Sequence, residues 1–283
     1  MLKFGAYPIK VNYNLHTRLR NQHKEDEFHR AGQYLEERKL DMKVNTSSDA
    51  TIENNMYRQE LDDYEQAVYS SLRTIDGNRV GRMVLGHINK KTTVWIVPKS
   101  PQELKQSFTA LTGPLKYDIQ TDETYGRTYG SGDTVILYNP ELRDDVLLHE
   151  LVHAYRYSFD KFVPVNLNYS NGFSRYTTDS EEILAHVIQN IYLSEAKQPL
   201  CLDYKSYWDG STKEETYKVL VGNERLMWIL NYFSRHEYLA IMAAHAFKTT
   251  DYNPFRDFAT LEATSLKTRP LVPASEEPML VAP

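Results

Sequence analysis

Cysteine is nearly missing from this chain: Cys201 is the only one in 283 residues. That excludes an internal disulfide framework and any zinc site built from several thiolates, so folding needs no oxidising compartment. Long apolar runs are missing as well. No stretch approaches the roughly 18 residues that a membrane-spanning helix requires. The opening segment, MLKFGAYPIKVNYN, lacks the apolar centre and small-residue cleavage site of a secretory signal. Positive charge is not in excess either. A formal net charge of -5 argues against a nucleic-acid partner, which calls for a basic face. What is present, 41% hydrophobic and 25% charged residues, is the composition of a folded domain, and a chain of this length can bury roughly three quarters of its unfolded surface. The 21 tyrosines carry no function by themselves.

Composition divides the chain into three parts. Residues 1–50 read as a charged N-terminal arm. Between 17 and 43 both charge signs crowd around few apolar positions (Phe28, Tyr34, Leu35, Leu40), as in an exposed helix or an unstructured segment. Residues 51–266 read as the main domain. The tail, 267–283, carries Pro270, Pro273, Pro278 and Pro283 and is expected to be extended or unstructured. Within the domain, Leu61, Tyr64, Val68, Leu72 and Ile75 recur at three- and four-residue steps, which predicts a helix over about 54–75. Asp76-Gly77-Asn78 reads as a turn. The runs Met83–Leu85 and Thr92–Val97 read as short strands, the second ending at Pro98, and Pro101 opens a helix through Leu111. Residues 113–133, with GPL and YGRTYGSGD, read as a hairpin loop, since no Lys-Ser/Thr follows the glycines to make a phosphate cradle. Thr134–Tyr138 (TVILY) is a strand ended by Asn139-Pro140. Helical patterns follow at about 144–158, 180–195 and 223–247, the last apolar on more than one side.

The first of these three helical patterns carries the strongest chemical signal. Asp144 to Tyr157 reads DDVLLHELVHAYRY. His149 and His153 are four residues apart, so on a helix both imidazoles leave one face a turn apart, the separation two nitrogens need to reach one ion at ~2.0–2.1 Å. Glu150 follows His149 directly and is placed to act as general base without being a ligand. Leu148, Leu151, Val152 and Tyr155 supply an apolar anchor, and Asp144 and Asp145 suit the positive end of the helix dipole.

A catalytic zinc takes three protein ligands and keeps one position open. Downstream, TTDSEEILAHVIQN opens with capping-box spacing at Thr178/Glu181 and Asp179/Glu182, followed by Leu184, Val187, Ile188 and Ile191. Glu182 is favoured as the third ligand over Glu181. Glu181 lies about a hundred degrees around the helix, expected nearer solvent and suited to capping. Glu182 shares a face with His186, which reads as a group orienting a liganding imidazole, with direct ligation by His186 as the competing role. For a donor to the tetrahedral oxyanion, Tyr169, Tyr176 and Arg156 are the candidates, with Tyr176 preferred as the catalytic partner of Glu150; Arg156 has pairing with a carboxylate as its simpler explanation. His236-Glu237 lacks a second histidine four residues on. His16, His23, His29, His87 and His245 have no partner spacing either.

With these residues in place, the chain resembles a family. HELVHAYR (His149–Arg156) looks like the active-site helix of effector-type bacterial zinc metallopeptidases, of which type III secreted effector proteases are the best-known members. VYSSLRTIDGNRVGRMVL (Val68–Leu85), GSGDTVILYNPEL (Gly130–Leu142) and EEILAHVIQNIYLSEAKQPLCLDY (Glu181–Tyr204) are similar to that family's upstream helix, its strand before the active helix and its third-ligand helix. The likeness covers about residues 60–205. It implies zinc held by His149, His153 and Glu182, and a secreted effector or toxin that cuts a protein in a target cell. It also implies synthesis in a bacterial cytoplasm, export by a route needing no signal peptide, and action in the target-cell cytoplasm. Secretion machinery or an immunity protein would be further partners.

The expectation is therefore an α+β, zincin-like fold. A small sheet with TVILY at or near its edge would lie over the active-site helix, with further helices, one carrying Glu182. The expected function is that of a zinc-dependent endopeptidase. The alternatives are a zinc hydrolase of a non-peptide amide, with the same site, and a non-catalytic effector module that binds a partner through its charged arm or proline-rich tail.

Overall fold

Of the 283 residues, the computed structural model describes 2–11, 48–98, 111–114, 134–163, 166–168, 177–202 and 211–268. Helix and strand are mixed. A five-stranded sheet runs in the order β1-β2-β3-β5-β4, built from β1 (Leu2–Lys3), β2 (Ile9–Val11), β3 (Val94–Pro98), β4 (Leu111–Pro114) and β5 (Thr134–Tyr138). The three inner strands β2, β3 and β5 are parallel, while β1 and β4 pair antiparallel at the two edges. In β5, Thr134, Ile136 and Tyr138 are buried and Val135 and Leu137 are half-buried, the two-residue alternation of a strand with one face on the core. A separate antiparallel pair joins β6 (Asn166–Asn168) to β7 (Thr177–Asp179).

Among the described residues, eight helices accompany the sheet: α1 (Ser48–Gly77), α2 (Arg79–His87), α3 (Asp144–Ser158), α4 (Ser180–Glu195), α5 (Lys213–Val221), α6 (Glu224–His236), α7 (Tyr238–Ala246) and α8 (Phe258–Thr268). Helix α3 is central. It packs against β4 and β5 on the sheet side, against α1 and α2, and along α4. Every residue of α3 except Asp144 and Tyr157 is buried. Helix α4 in turn carries the C-terminal helices through α6 and α7. The apolar stripe read from the sequence behaves as expected where it is described: Tyr64, Val68, Leu72 and Ile75 of α1 all lie in the core.

Three boundaries differ from the sequence reading. Residues 2–11 are not part of an arm, because Phe4, Ile9 and Val11 are buried and β2 pairs directly with β3. Met83–Leu85 is helical. Asn78 accepts the Val80 and Gly81 N–H groups at 2.8 and 3.3 Å and so starts α2, and Val80, Met83 and Val84 then meet the core at helical spacing. TVILY lies near the edge of the sheet, as expected, one strand in. Gly113 and Pro114 belong to β4, opposite Val135 and Thr134, and take the edge, where a proline's missing N–H does no harm. The long helix expected over 223–247 is broken at Glu237, whose backbone is extended and whose side chain caps α7 by accepting the Leu239 N–H. The helix expected over 101–111 is described only at Leu111, which belongs to β4, while residues 115–133, the charged stretch 17–43 and the tail beyond 268 lie outside the described residues.

Helices α1 and α2 meet at a close approach that only glycine permits. A Cβ at Gly81 would run into the Ile75 carbonyl oxygen and come within 2.7 Å of Ile75 Cγ2, whereas a Cβ at Gly86 would meet nothing within 4 Å. Gly81→Ala is therefore expected to destabilise the fold by about 1–3 kcal/mol through overpacking. Gly86→Ala should be neutral or stabilising by up to about 1 kcal/mol through helix propensity. Urea midpoints of the two variants check this contrast, and equal midpoints would refute the packing account.

Candidate metal centre

Helices α3 and α4 run antiparallel, and polar pairs link them along their length. Tyr192 donates to Asp144, Gln189 Nε2 donates to Asp145 at 2.8 Å, and Arg156 donates to Glu181 at 2.8 and 2.9 Å at the opposite end. The chemistry lies between these ties. His149 Nε2 is 3.2 Å from His153 Nε2 and 3.0 Å from Glu182 Oε2, and His153 Nε2 is 3.3 Å from Glu182 Oε1. Both histidines are buried, and Glu182 is partly so.

This triangle can be tested against an ion. Ligand bonds of ~2.0–2.2 Å at tetrahedral angles place donor atoms about 3.3–3.5 Å apart. The two imidazole nitrogens stand 3.2 Å apart, close to that spacing, and each meets a different oxygen of the Glu182 carboxylate, at 3.0 and 3.3 Å. The donor types fit as well, since imidazole nitrogen and carboxylate oxygen are ordinary ligands for a divalent ion. His149, His153 and Glu182 thus form a group suited to hold a metal ion.

Electrostatics point the same way. Burial by itself would push the His153 imidazole below its ordinary value. The carboxylates of Glu182, then Glu150 and Glu181, outweigh it and raise His153 to about 9. For Glu182, burial opposes ionisation, but the two histidines hold its carboxyl well below the usual range. The carboxylates around His153 therefore favour a positive charge there, whether a proton or a metal ion.

Each candidate from the sequence has a defined place. Glu150 is buried beside His149 on α3, and its charge is felt at His153. Glu182, not Glu181, meets the histidines. Glu181 is not nearer solvent: it is 1% exposed, with Arg156 donating to both of its oxygens and the Val163 N–H donating to Oε1 at 3.0 Å. Arg156 is held between Glu181 and Glu237, with its guanidinium 5.8 Å from the centre of the Phe233 ring, and so is not available as an oxyanion donor. His186 is not part of the ligand group; its Nε2 lies 3.2 Å from Asn190 Nδ2. Tyr169 and Tyr176 lie outside the described residues.

Three contributors escaped the sequence reading. Gln189, fully buried, makes the imidazole contact expected of His186: its Oε1 is 3.1 Å from His149 Nδ1. Its seven-residue step from Glu182, two helical turns on the same face, was the signal that could have found it. Phe162 packs edge-on against the His153 ring at 5.6 Å. Glu237 accepts from Tyr155 Oη at 2.9 Å and from Arg156, fastening α3 to the α6–α7 junction. No spacing rule reaches across that distance in sequence.

The fold and this site define a mixed α/β protein with a buried two-histidine, one-glutamate group suited to a metal ion. No family model, no curated protein and no solved structure matches the chain. Among the described residues, no helix is long and apolar enough to cross a membrane.

Two tests follow from these charges. Arg156→Met leaves two buried carboxylates facing each other and should cost about 3–5 kcal/mol. Adding Glu181→Gln and Glu237→Gln should recover most of that loss in urea melts, and a triple variant as unstable as the single would refute the charge explanation. In metal-free protein, the folded pKa of His153 stands above the unfolded ~6.5. Its proton therefore stabilises the fold fully below about pH 6.5, and that contribution disappears as pH rises through about 9. Chelator-treated protein should lose up to about 3 kcal/mol across this window, and the loss should shrink in Glu182→Gln. A urea midpoint that stays flat would remove the assigned ion pair.

Proposed function

We propose that this chain is a zinc-dependent endopeptidase. The observation that carries the reading is the convergence of His149 Nε2, His153 Nε2 and the Glu182 carboxylate within 3.0 to 3.3 Å of one another, with Glu150 next to His149 on the same buried helix. The donor set of two imidazoles and one carboxylate favours zinc in a site that also carries a base. Zinc, when bound, supplies a Lewis acid that polarises the scissile carbonyl and acidifies the attacking water. His149 and His153 are held on α3 and Glu182 on α4, so the packing of two rigid helices sets the ligand geometry. The Glu150 carboxylate accepts the proton that the water gives up and delivers it to the leaving amine nitrogen, so that it ends the cycle as it began. A structural site would have no use for that base, and this favours catalysis over a purely binding role.

The same reading extends to biology through the likeness of the active-site helix and three flanking segments to effector-type bacterial metallopeptidases. On that basis the protein is a secreted effector or toxin that cuts a protein in a target cell.

Glu150→Gln is expected to bind zinc as the wild type does and to have no hydrolytic activity; an active variant would overturn the mechanism. His153→Ala should lose zinc and melt at lower temperature. Glu182→Gln should weaken zinc, whereas Glu181→Gln should lower stability and retain the metal. Metal analysis beside a melting curve separates the two glutamates. Mass spectrometry of a proteome exposed to wild-type or Glu150→Gln protein identifies the peptide bonds cut. Cleavage of small amides with none in proteins would replace the peptidase reading by that of a non-peptide amidohydrolase.

A further inference from the structure

Behind His149 lies a chain of polar contacts that reaches the protein surface. Arg143 Nε donates to Asp145 Oδ1 at 2.7 Å, Gln189 Nε2 lies 2.8 Å from Asp145 Oδ2, and Gln189 Oε1 lies 3.1 Å from His149 Nδ1. Asp145 and Gln189 are 1% and 0% exposed, so water does not complete these contacts. His153 has no equivalent: among the described residues, no hydrogen-bond partner reaches its Nδ1.

The direction of every bond in this chain follows from its outer end. A guanidinium has donors only, so the Asp145 oxygen it meets accepts. An ionised carboxylate has acceptors only, so Gln189 must turn its NH2 toward Asp145. Its Oε1 then faces His149, and an amide oxygen can only accept. His149 must therefore carry its proton on Nδ1, which leaves the Nε2 lone pair facing His153 and Glu182.

We propose that Gln189, oriented by Asp145 and Arg143, is a positioning residue that fixes His149 as the Nδ1–H tautomer and so sets the metal affinity of the site. The inference rests on reading the His149, His153 and Glu182 group as a metal centre. Its distinctive consequence concerns polarity rather than shape. In Asp145→Asn the new amide keeps its oxygen toward Arg143 and presents its NH2 to Gln189. The Gln189 amide then turns over, puts its own NH2 against His149 Nδ1 and drives the imidazole proton to Nε2, where it competes with the ion. The double variant Asp145→Asn/Gln189→Glu restores the original direction with the negative charge moved one residue inward. The introduced asparagine amide would donate to the new carboxylate, and that carboxylate would accept from His149 Nδ1–H.

The test uses the full chain and zinc as the probe, with affinity read by competition against a chromophoric chelator. Asp145→Asn is expected to bind zinc about 10–100-fold more weakly than wild type, the usual loss for groups that orient a metal ligand. The double variant is expected to regain most of that loss. Long-range proton–nitrogen correlation spectra of the zinc-loaded wild type and double variant should show His149 protonated at Nδ1 and coordinating through Nε2. Undiminished affinity in Asp145→Asn overturns the inference, as does a double variant no better than the single. Should Asp145→Asn fail to fold, the nitrogen spectra of the other two proteins decide, and coordination through Nδ1 in either overturns it. Wild-type protein that takes up no zinc would remove the metal reading itself, an outcome distinct from wild-type binding that Asp145→Asn leaves intact.

Discussion

A half-buried carboxylate set against two buried imidazole nitrogens favours a positive charge among them, and most of this molecule can be understood as the apparatus that holds the three groups together. Desolvating a charge without a partner costs several kcal/mol, so a fold tolerates such a cluster only where the helices carrying it cannot separate. Here α3 is buried over almost its whole length between the sheet and α4. The ties at Asp144, Asp145 and Arg156 hold the α3–α4 register from end to end. A slip of one helical turn would carry Glu182 away from the histidines and leave both Glu181 and Arg156 without their counter-charges. Register and site are thus two aspects of one constraint.

The neighbouring glutamates show how that constraint is divided. Glu181 and Glu182 are about a hundred degrees apart on α4, and both are drawn toward α3 by positive partners. Glu181 answers Arg156, seven residues after His149, while Glu182 answers the histidines. One carboxylate is saturated by a two-pronged guanidinium contact, a geometry that suits structural anchoring. The other has its oxygens directed into the pocket. Arg156 is shared with Glu237, so the same guanidinium also fixes where α6 ends and α7 begins. The C-terminal helices are in this way referred back to the helix that carries both histidines, through residues outside the candidate ligand group.

How much of this could be read from the chain alone depended on how local each relation was. His149, Glu150 and His153 need only a helix, and α3 begins and ends where its pattern says. Glu182 needed one further assumption, that the second helix lies back along the first. Gln189 needed a third, the depth at which two antiparallel helices interdigitate, and His186 was the nearer but mistaken choice. Met83–Leu85 went astray because three apolar residues fit either period; the deciding signal was the Asn78 cap ahead of them. TVILY could be placed only at or near the edge, because its neighbour LTGP hides the true edge strand behind glycine and proline. Glu237 was beyond reach, since its partners Tyr155 and Arg156 are some eighty residues away and no periodicity connects them.

The unequal treatment of the two histidines follows from where each sits on α3. His149 lies deeper, facing α4 where that helix can offer a polar side chain from beyond the ligand, and there Gln189 takes its Nδ1. His153 lies a turn later, toward the end of α3 where the chain leaves the helix, and its ring is covered by Phe162 instead. An aromatic edge restrains a ring by shape but does not choose between its nitrogens. The proton distribution on His153 is then governed by the carboxylates around it, Glu182 foremost, while that on His149 is dictated by a fixed hydrogen-bond sequence from Arg143 inward. One imidazole is therefore prepared in advance while the other responds to its surroundings, the arrangement expected if an ion bound here displaced a proton from His153 and found the lone pair of His149 already in place.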